Sequence, residues 1–154
     1  MVFVSITRLR LRSPWFLPGF ALYTLRSLRQ VKKAPGFRGG STLPDRALAF
    51  WTMTVWDSEA SMRQYMISGS HKSAMPHLIH WCDEASVVHW EQPEDDLPGW
   101  ELADRRMRES GRASKVNHPS AAHADLSYLP PRIGTAGPIK PSRPSSTTPA
   151  GRRI

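Results

Sequence analysis

The stretch that decides the fold is residues 48–56, which read Leu-Ala-Phe-Trp-Thr-Met-Thr-Val-Trp. Aromatic and β-branched residues favour extended structure, so this stretch predicts a β-strand. Alternation along a strand assigns its residues to two faces, Phe50, Thr52, Thr54 and Trp56 on one and Ala49, Trp51, Met53 and Val55 on the other. Neither face carries a charge, so both faces must be covered by other parts of the protein.

The flanking sequence predicts two β-α-β halves around this strand. Strands are predicted at residues 2–12, 37–43 and 86–90, and helices at 13–33, 58–66 and 70–82. Ser13 and Pro14 are typical of a helix start, whereas Pro35 and Gly36 are typical of a helix end. The order β-α-β-β-α-β predicts an α+β, ferredoxin-like fold, an antiparallel sheet with helices on one face.

A homodimer follows from counting what covers the two faces of the central strand. The predicted helices suffice for one face of the sheet only. A second copy of the same sheet is the simplest cover for the other face, which predicts a dimeric α+β barrel.

Composition limits the domain organisation and the kinds of site. The chain has 154 residues, a formal net charge of +8 and a single cysteine, Cys82, which excludes an intrachain disulfide and a multi-cysteine zinc site. The ferredoxin-like domain is predicted at residues 1–92 and an accessory helix at 93–112. Residues 113–154 are rich in Pro and Ser towards their end and predict a disordered basic tail.

The N-terminal region has a basic start followed by an apolar stretch, which resembles a signal peptide. Pro18 and Gly19 interrupt that stretch and no small-residue cleavage site follows, so we interpret it as an amphipathic helix and expect a cytoplasmic protein. Arg26, Arg29, Lys32 and Lys33 on this helix leave weak contact with an anionic membrane surface open. Nucleic-acid binding is not expected, because the central strand has no charge and lacks the RNA-binding signature.

The strand-to-helix segment that starts at residues 55–59, Val-Trp-Asp-Ser-Glu, continues through Tyr65, Ser68, His71, Ala74 and Met75. This pattern resembles the signature of the dimeric α+β-barrel superfamily, which includes the antibiotic-biosynthesis monooxygenases. Residues 68–71, 81–85 and 88–90 resemble an uncharacterised bacterial family within that superfamily, distantly related to spheroidene monooxygenase. The resemblance covers residues 2–92.

The resemblance implies a ligand cleft between sheet and helices, with dimer contact through the opposite sheet face. In the cofactor-independent oxygenases of this superfamily, the substrate carbanion itself reacts with O₂, and the protein supplies a base and a dry cavity. Met75 stands where the haem-degrading members place their proximal histidine, which argues against that type of haem oxygenase. Tyr65 stands where those members carry a tryptophan that is important for the reaction.

These considerations give a set of candidate site residues. His71 and Tyr65 are the candidate catalytic residues, with His71 as the acid–base group or, if haem is bound, its axial ligand. The candidate ligand-binding residues are Trp51, Trp56, Met75, Thr52 and Thr54. No metal site is expected, because the histidine pair His77 and His80 lacks a clear third ligand. No cofactor is expected either, with haem as the alternative.

The predicted function is that of a small monooxygenase acting on an apolar aromatic or polyene substrate. Two alternatives stay open at this point. The first is a non-catalytic binding protein for haem or another apolar small molecule. The second is an accessory domain that binds nucleic acid or a membrane surface.

Overall fold

The structure is a computed structural model that describes residues 1–142. Its strands are β1 (Val2–Leu11), β2 (Phe37–Pro44), β3 (Ala49–Trp56), β4 (Cys82–Gln92), β5 (Arg112–Ala113) and β6 (Gly137–Ile139). Its α-helices are α1 (Leu17–Lys33), α2 (Glu59–Met66), α3 (Gly69–Trp81) and α4 (Trp100–Ser110). The strands form one antiparallel sheet in the order β5-β4-β1-β3-β2-β6.

The predicted ferredoxin-like arrangement is confirmed. Strand β1 lies in the middle of the sheet and pairs with β3 on one side and with β4 on the other. Helix α1 follows a short 3-10 turn at Pro14–Phe16, where the Ser13 hydroxyl accepts a hydrogen bond from the Trp15 N–H. Helix α1 packs Val31 into the same apolar cluster as Phe3 and Trp56, so α1 covers the face of the sheet that carries these two residues.

The opposite face of the sheet is covered by the chain itself. Trp51, Met53 and Val55 are at most 1% exposed. They share an apolar cluster with Tyr128 and with the buried residues of helix α4, which are Trp100, Ala103 and Met107. The assumption that the helices suffice for one face only is therefore wrong, because these three helix residues recur at i, i+3 and i+7 and form an apolar stripe. A homodimer stays a prediction, but it is not needed to bury this face.

The C-terminal region differs from the predicted disordered tail of residues 113–154. Within residues 113–142, Tyr128 and Ile139 are buried, and β6 pairs with residues 40–42 of β2. Strand β5 pairs with Ser86 and Val87 on the other side of the sheet. Ladder hydrogen bonds and a few buried anchors thus order a segment whose composition alone suggests disorder. Residues 143–154 lie outside the described part, and independent folding of residues 1–92 stays a prediction.

None of the helices within residues 1–142 has the length and apolar character that are needed to cross a bilayer.

Candidate functional site

The sheet face beneath helices α1, α2 and α3 carries two separate apolar clusters. One contains Phe3, Val31, Phe37, Trp56, Met62 and Ile139, and the other contains Leu11, Phe20 and Cys82. Between the two clusters, strands β1, β2 and β3 carry hydroxyl groups instead of apolar side chains, at Ser5, Thr7, Thr42, Thr52 and Thr54. This polar gap is the part of the face where a ligand cleft between sheet and helices would lie.

The polar gap is built by residues that stand opposite one another across three strands. Thr52 of β3 pairs with Thr7 of β1 and with Thr42 of β2, and Thr54 pairs with Ser5. Within residues 1–142, the hydroxyls of Ser5, Thr7, Thr52 and Thr54 have no protein hydrogen-bond partner, and none of them is fully enclosed. They are therefore not engaged by other groups of the described residues, and ligand binding by Thr52 and Thr54 stays a prediction.

His71 lies in the first turns of helix α3 and is partly buried. Its Nδ1 lies 3.1 Å from the carbonyl oxygen of Met66. A carbonyl only accepts hydrogen bonds, so Nδ1 carries the proton and Nε2 carries a free lone pair. Burial lowers the pKa of His71, and the bond to Met66 offsets this only in part. The imidazole is therefore neutral at pH 7 and has the form of a general base.

Gln30 of helix α1 fixes the position of His71, and sequence reasoning missed it. Its Oε1 accepts a hydrogen bond of 2.9 Å from the backbone N–H of His71. Its Nε2 donates to the carbonyl oxygens of Ser68, at 2.7 Å, and of Tyr65. Gly69 allows this close packing: its φ is +56°, and a Cβ there would lie 3.1 Å from the Gln30 amide.

Aromatic rings connect His71 to the core of the fold. The ring centroids of Tyr65 and His71 lie 4.8 Å apart, and those of Trp56 and Tyr65 lie 5.3 Å apart. The Tyr65 hydroxyl donates to the Ser27 carbonyl oxygen at 3.3 Å, and burial raises the pKa of Tyr65. Tyr65 is thus held neutral with its proton engaged, an arrangement that suits positioning of the His71 ring better than proton transfer.

Two predicted ligand-binding residues lie away from the polar gap. Trp51 is on the opposite sheet face, with its ring 5.6 Å from Tyr128 and 6.2 Å from Trp100. Strand alternation places Trp51 there, because its neighbours Phe50 and Thr52 belong to the cleft face. Met75 is 40% exposed on the outside of α3, whereas the adjacent Ala74 is the buried residue of that helix. The structure therefore does not support ligand binding in the cleft by Trp51 or Met75.

The histidine pair His77 and His80 contacts other side chains of the described residues. His77 lies 3.1 Å from the Tyr23 hydroxyl, and His80 lies beside Arg12. Within residues 1–142, no three His, Cys, Asp or Glu side chains are arranged to hold a metal ion.

His89 is a second residue that sequence reasoning did not select for the cleft. It pairs with Ser5 on the cleft face, and its ring lies 5.2 Å from that of Phe3. Burial lowers the pKa of His89, with a further contribution from Arg112. Its Nε2 is buried without a hydrogen-bond partner among the described residues.

The fold is shared with several solved structures. A conserved protein from Methanosarcina mazei Go1 matches with a TM-score of 0.54 and 15% identity, over 60% of this chain and 93% of that one. SnoaB, a cofactor-independent oxygenase from Streptomyces nogalater, gives 0.52 and 14%, over 63% and 97%. A protein described as an antibiotic biosynthesis monooxygenase gives 0.53 and 12%, over 61% and 100%. The fold is therefore that of the antibiotic-biosynthesis-monooxygenase-like proteins.

Sequence comparison places the chain in a family. A search of curated proteins gives no significant match. A family model described as "Domain of unknown function (DUF3291)" matches residues 17–116, which include helices α1 to α4 and strands β2 to β5. That range is well over half of the chain, so the protein belongs to the DUF3291 family.

Proposed function

We propose that the protein is a small oxygenase that removes a proton from an apolar aromatic or polyene substrate without a bound cofactor. The observation that carries this proposal is His71, a neutral imidazole whose Nδ1–H is held by the Met66 carbonyl and whose Nε2 is free. The hydroxyl groups of the polar gap would act as hydrogen-bond partners for such a substrate. Structural neighbours described as a cofactor-independent oxygenase and as a monooxygenase support this class of reaction.

The proposed chemistry begins with proton transfer to Nε2 of His71 from a substrate carbon whose anion is conjugated with a carbonyl group. The Thr52 and Thr54 hydroxyls would donate hydrogen bonds to the substrate oxygen that gains charge as the proton leaves. The substrate anion then reduces O₂ directly. For an anthrone, the CH₂ group and O₂ give a C=O group and water, so one oxygen atom enters the product and the other leaves with both hydrogens.

The alternative is a binding protein that holds an apolar ligand or haem without turnover. The free Nε2 of His71 also has the lone pair that an axial haem ligand needs, so this residue fits that role. The lowered pKa of His71 favours both roles, because a base and a metal ligand must each be unprotonated.

Oxygen uptake with anthrone and quinol substrates tests the proposal. His71→Gln should lower the rate by roughly 10²–10⁴-fold, the usual contribution of a general base. The matched control is His77→Gln, an exposed histidine of the same helix, which should leave the rate unchanged. In the parent protein, the rate should stay constant as the pH is lowered to 6.5 and should decrease only at lower pH. The reason is that burial lowers the pKa of His71 below 6.5.

The other outcomes distinguish the alternatives. Saturable ligand binding without oxygen uptake would support the binding protein. A Soret band on haem titration that disappears in His71→Gln would support haem binding. An oxygenase rate that survives His71→Gln unchanged would contradict the proposed role of this base.

A further inference from the structure

We infer that the outer face of helix α1 docks on an anionic membrane surface. This inference does not depend on the reaction proposed above. The N-terminal half of the face and the 3-10 turn before it are open to solvent: Trp15 in the turn is 85% exposed, and Leu22 and Leu25 in the helix are 47% and 56% exposed. Large exposed apolar side chains in one region of a protein are typical of a surface that contacts another apolar phase.

The C-terminal half of the same face is basic. Arg26, Arg29, Lys32 and Lys33 are all exposed. Leu22, Leu25, Arg29 and Lys32 recur at intervals of three and four residues, which aligns them along one side of the helix. The opposite side buries Phe20 and Val31. Helix α1 therefore packs against the rest of the domain through one side and exposes an apolar and basic surface on the other side.

No acidic residue offsets this charge on the helix, because residues 17–33 contain no Asp or Glu. An open groove of about 770 Å³ runs beside the basic half, between α1 and α3. Its lining consists of two cationic side chains, three hydroxyl-bearing ones and a glycine, namely Arg26, Lys72, Tyr23, Ser70, Ser73 and Gly69. The groove thus offers cations and hydrogen-bond donors to phosphate groups, which a bilayer surface presents at high density.

The arrangement favours a lipid surface over a second copy of the chain. A symmetric contact through this face would bring two sets of the same basic residues together, and like charges oppose such a contact. An interfacial helix instead combines a buried apolar part, an aromatic residue at headgroup level and Lys or Arg near anionic lipid. Helix α1 supplies the exposed leucines and the basic residues, and the turn that precedes it supplies Trp15.

Vesicle flotation with the full-length protein tests this inference. The probes are vesicles of phosphatidylcholine alone and vesicles with 30% phosphatidylserine. We expect binding to the anionic vesicles only, with a marked decrease between 50 and 500 mM salt, because salt screens the attraction. Arg29→Gln with Lys32→Gln should weaken binding by about tenfold or more, given the usual contribution of each basic residue near such a surface.

Two further variants complete the test. Arg105→Gln with Arg106→Gln removes the same charge from exposed positions of helix α4, which packs on the other sheet face, and should leave binding unchanged. Leu22→Ser with Leu25→Ser should weaken binding without changing the charge. The inference is overturned if anionic vesicles do not bind the protein, or if both charge variants lose binding equally. It is also overturned if the parent protein is a dimer that does not bind vesicles and the only effect of the leucine substitutions is to dissociate that dimer.

Discussion

Gln30 and His71 are joined across helices α1 and α3 by a hydrogen bond of 2.9 Å from the His71 backbone N–H to the Gln30 Oε1. The same amide donates to the Ser68 carbonyl, so one side chain satisfies a donor and an acceptor at the α2–α3 junction. The first N–H groups of a helix have no partner within the helix. Gln30 therefore connects helix α1, which carries the proposed membrane-docking surface, to helix α3, which carries the candidate base.

Gln30→Leu keeps the size of the side chain and removes these hydrogen bonds. Partly buried backbone groups would lose their partners, and the free energy of unfolding should fall by about 1–3 kcal/mol. Urea denaturation measures this change. The control is Gln64→Leu, an exposed glutamine of helix α2, and an equal loss in both variants would contradict the role of Gln30.

The lowered pKa values of His71 and His89 predict the pH dependence of stability. Burial lowers both from 6.5, so below about pH 6.5 the unfolded chain binds protons that the folded protein does not. The free energy of unfolding should therefore decrease as the pH falls from 7 to 5. His71→Gln should make this decrease smaller in urea titrations at several pH values. An unchanged slope in the variant would show that His71 does not contribute.

A buried ion pair on the α4 side of the sheet should be sensitive to loss of one partner. Glu84 is 3% exposed and accepts hydrogen bonds from Arg8, Arg10 and Ser120. Burial raises the pKa of Glu84, but these bonds outweigh that effect and lower it overall. Glu84→Ala should reduce the free energy of unfolding by about 3–5 kcal/mol, because Arg8 is left buried and unpaired.

Glu101→Ala, an exposed glutamate of helix α4, is the control for this change. Its effect should stay within about 0.5 kcal/mol in thermal or urea unfolding. A similar effect of the two substitutions would mean that Arg8 is solvated in spite of its burial.

The covered second face of the sheet predicts the oligomeric state. Because α4 and Tyr128 bury Trp51, Met53 and Val55, we expect the full chain to sediment as a monomer of 17.4 kDa. Truncation after Gln92 should expose these residues and cause self-association, whereas truncation after Ser142 should not. A stable dimer of the full chain in sedimentation velocity would instead support the homodimer predicted from the sequence.

Cys82 should be unreactive in the folded protein. It is completely buried, and burial together with Asp83 raises the pKa of its thiol to about 12. Labelling with a thiol-specific reagent at pH 8 should be at least about a thousandfold slower than that of a small free thiol, because the thiolate is the reactive form. The rate should recover in denaturant. Rapid labelling without denaturant would show that the β4 region opens readily.

Much of the fold could be predicted because its signals are local. Strand β3 has no charged residue on either face, Ser13 and Pro14 start the first helical region, and Gly36, at φ +83°, follows its end. Alternation separates Thr52 and Thr54 from Trp51, although the predicted ligand-binding set includes residues of both faces, and the position of His71 on helix α3 follows from the helix prediction. These residues follow from spacing, which the sequence contains.

The remainder depends on contacts between distant parts of the chain. Gln30 binds residues about 40 positions away, and no local pattern marks a glutamine for that role. The function of helix α4 was missed because its apolar stripe is short and gives no indication of which face it covers. Tyr128 and Ile139 lie in a segment whose composition suggests disorder, yet each is buried against the sheet or its flanking residues.

The two short C-terminal strands have a consequence for the integrity of the molecule. Strand β5 lies at one margin of the sheet and β6 at the other, so the chain between them passes from one side of the protein to the other. A single proteolytic nick in this connection would leave each strand held by only a few ladder bonds. Loss of both strands would expose the backbone hydrogen-bonding groups of β4 and β2 at the two edges of the sheet. Strands of neighbouring molecules could then pair with these edges and begin fibril growth.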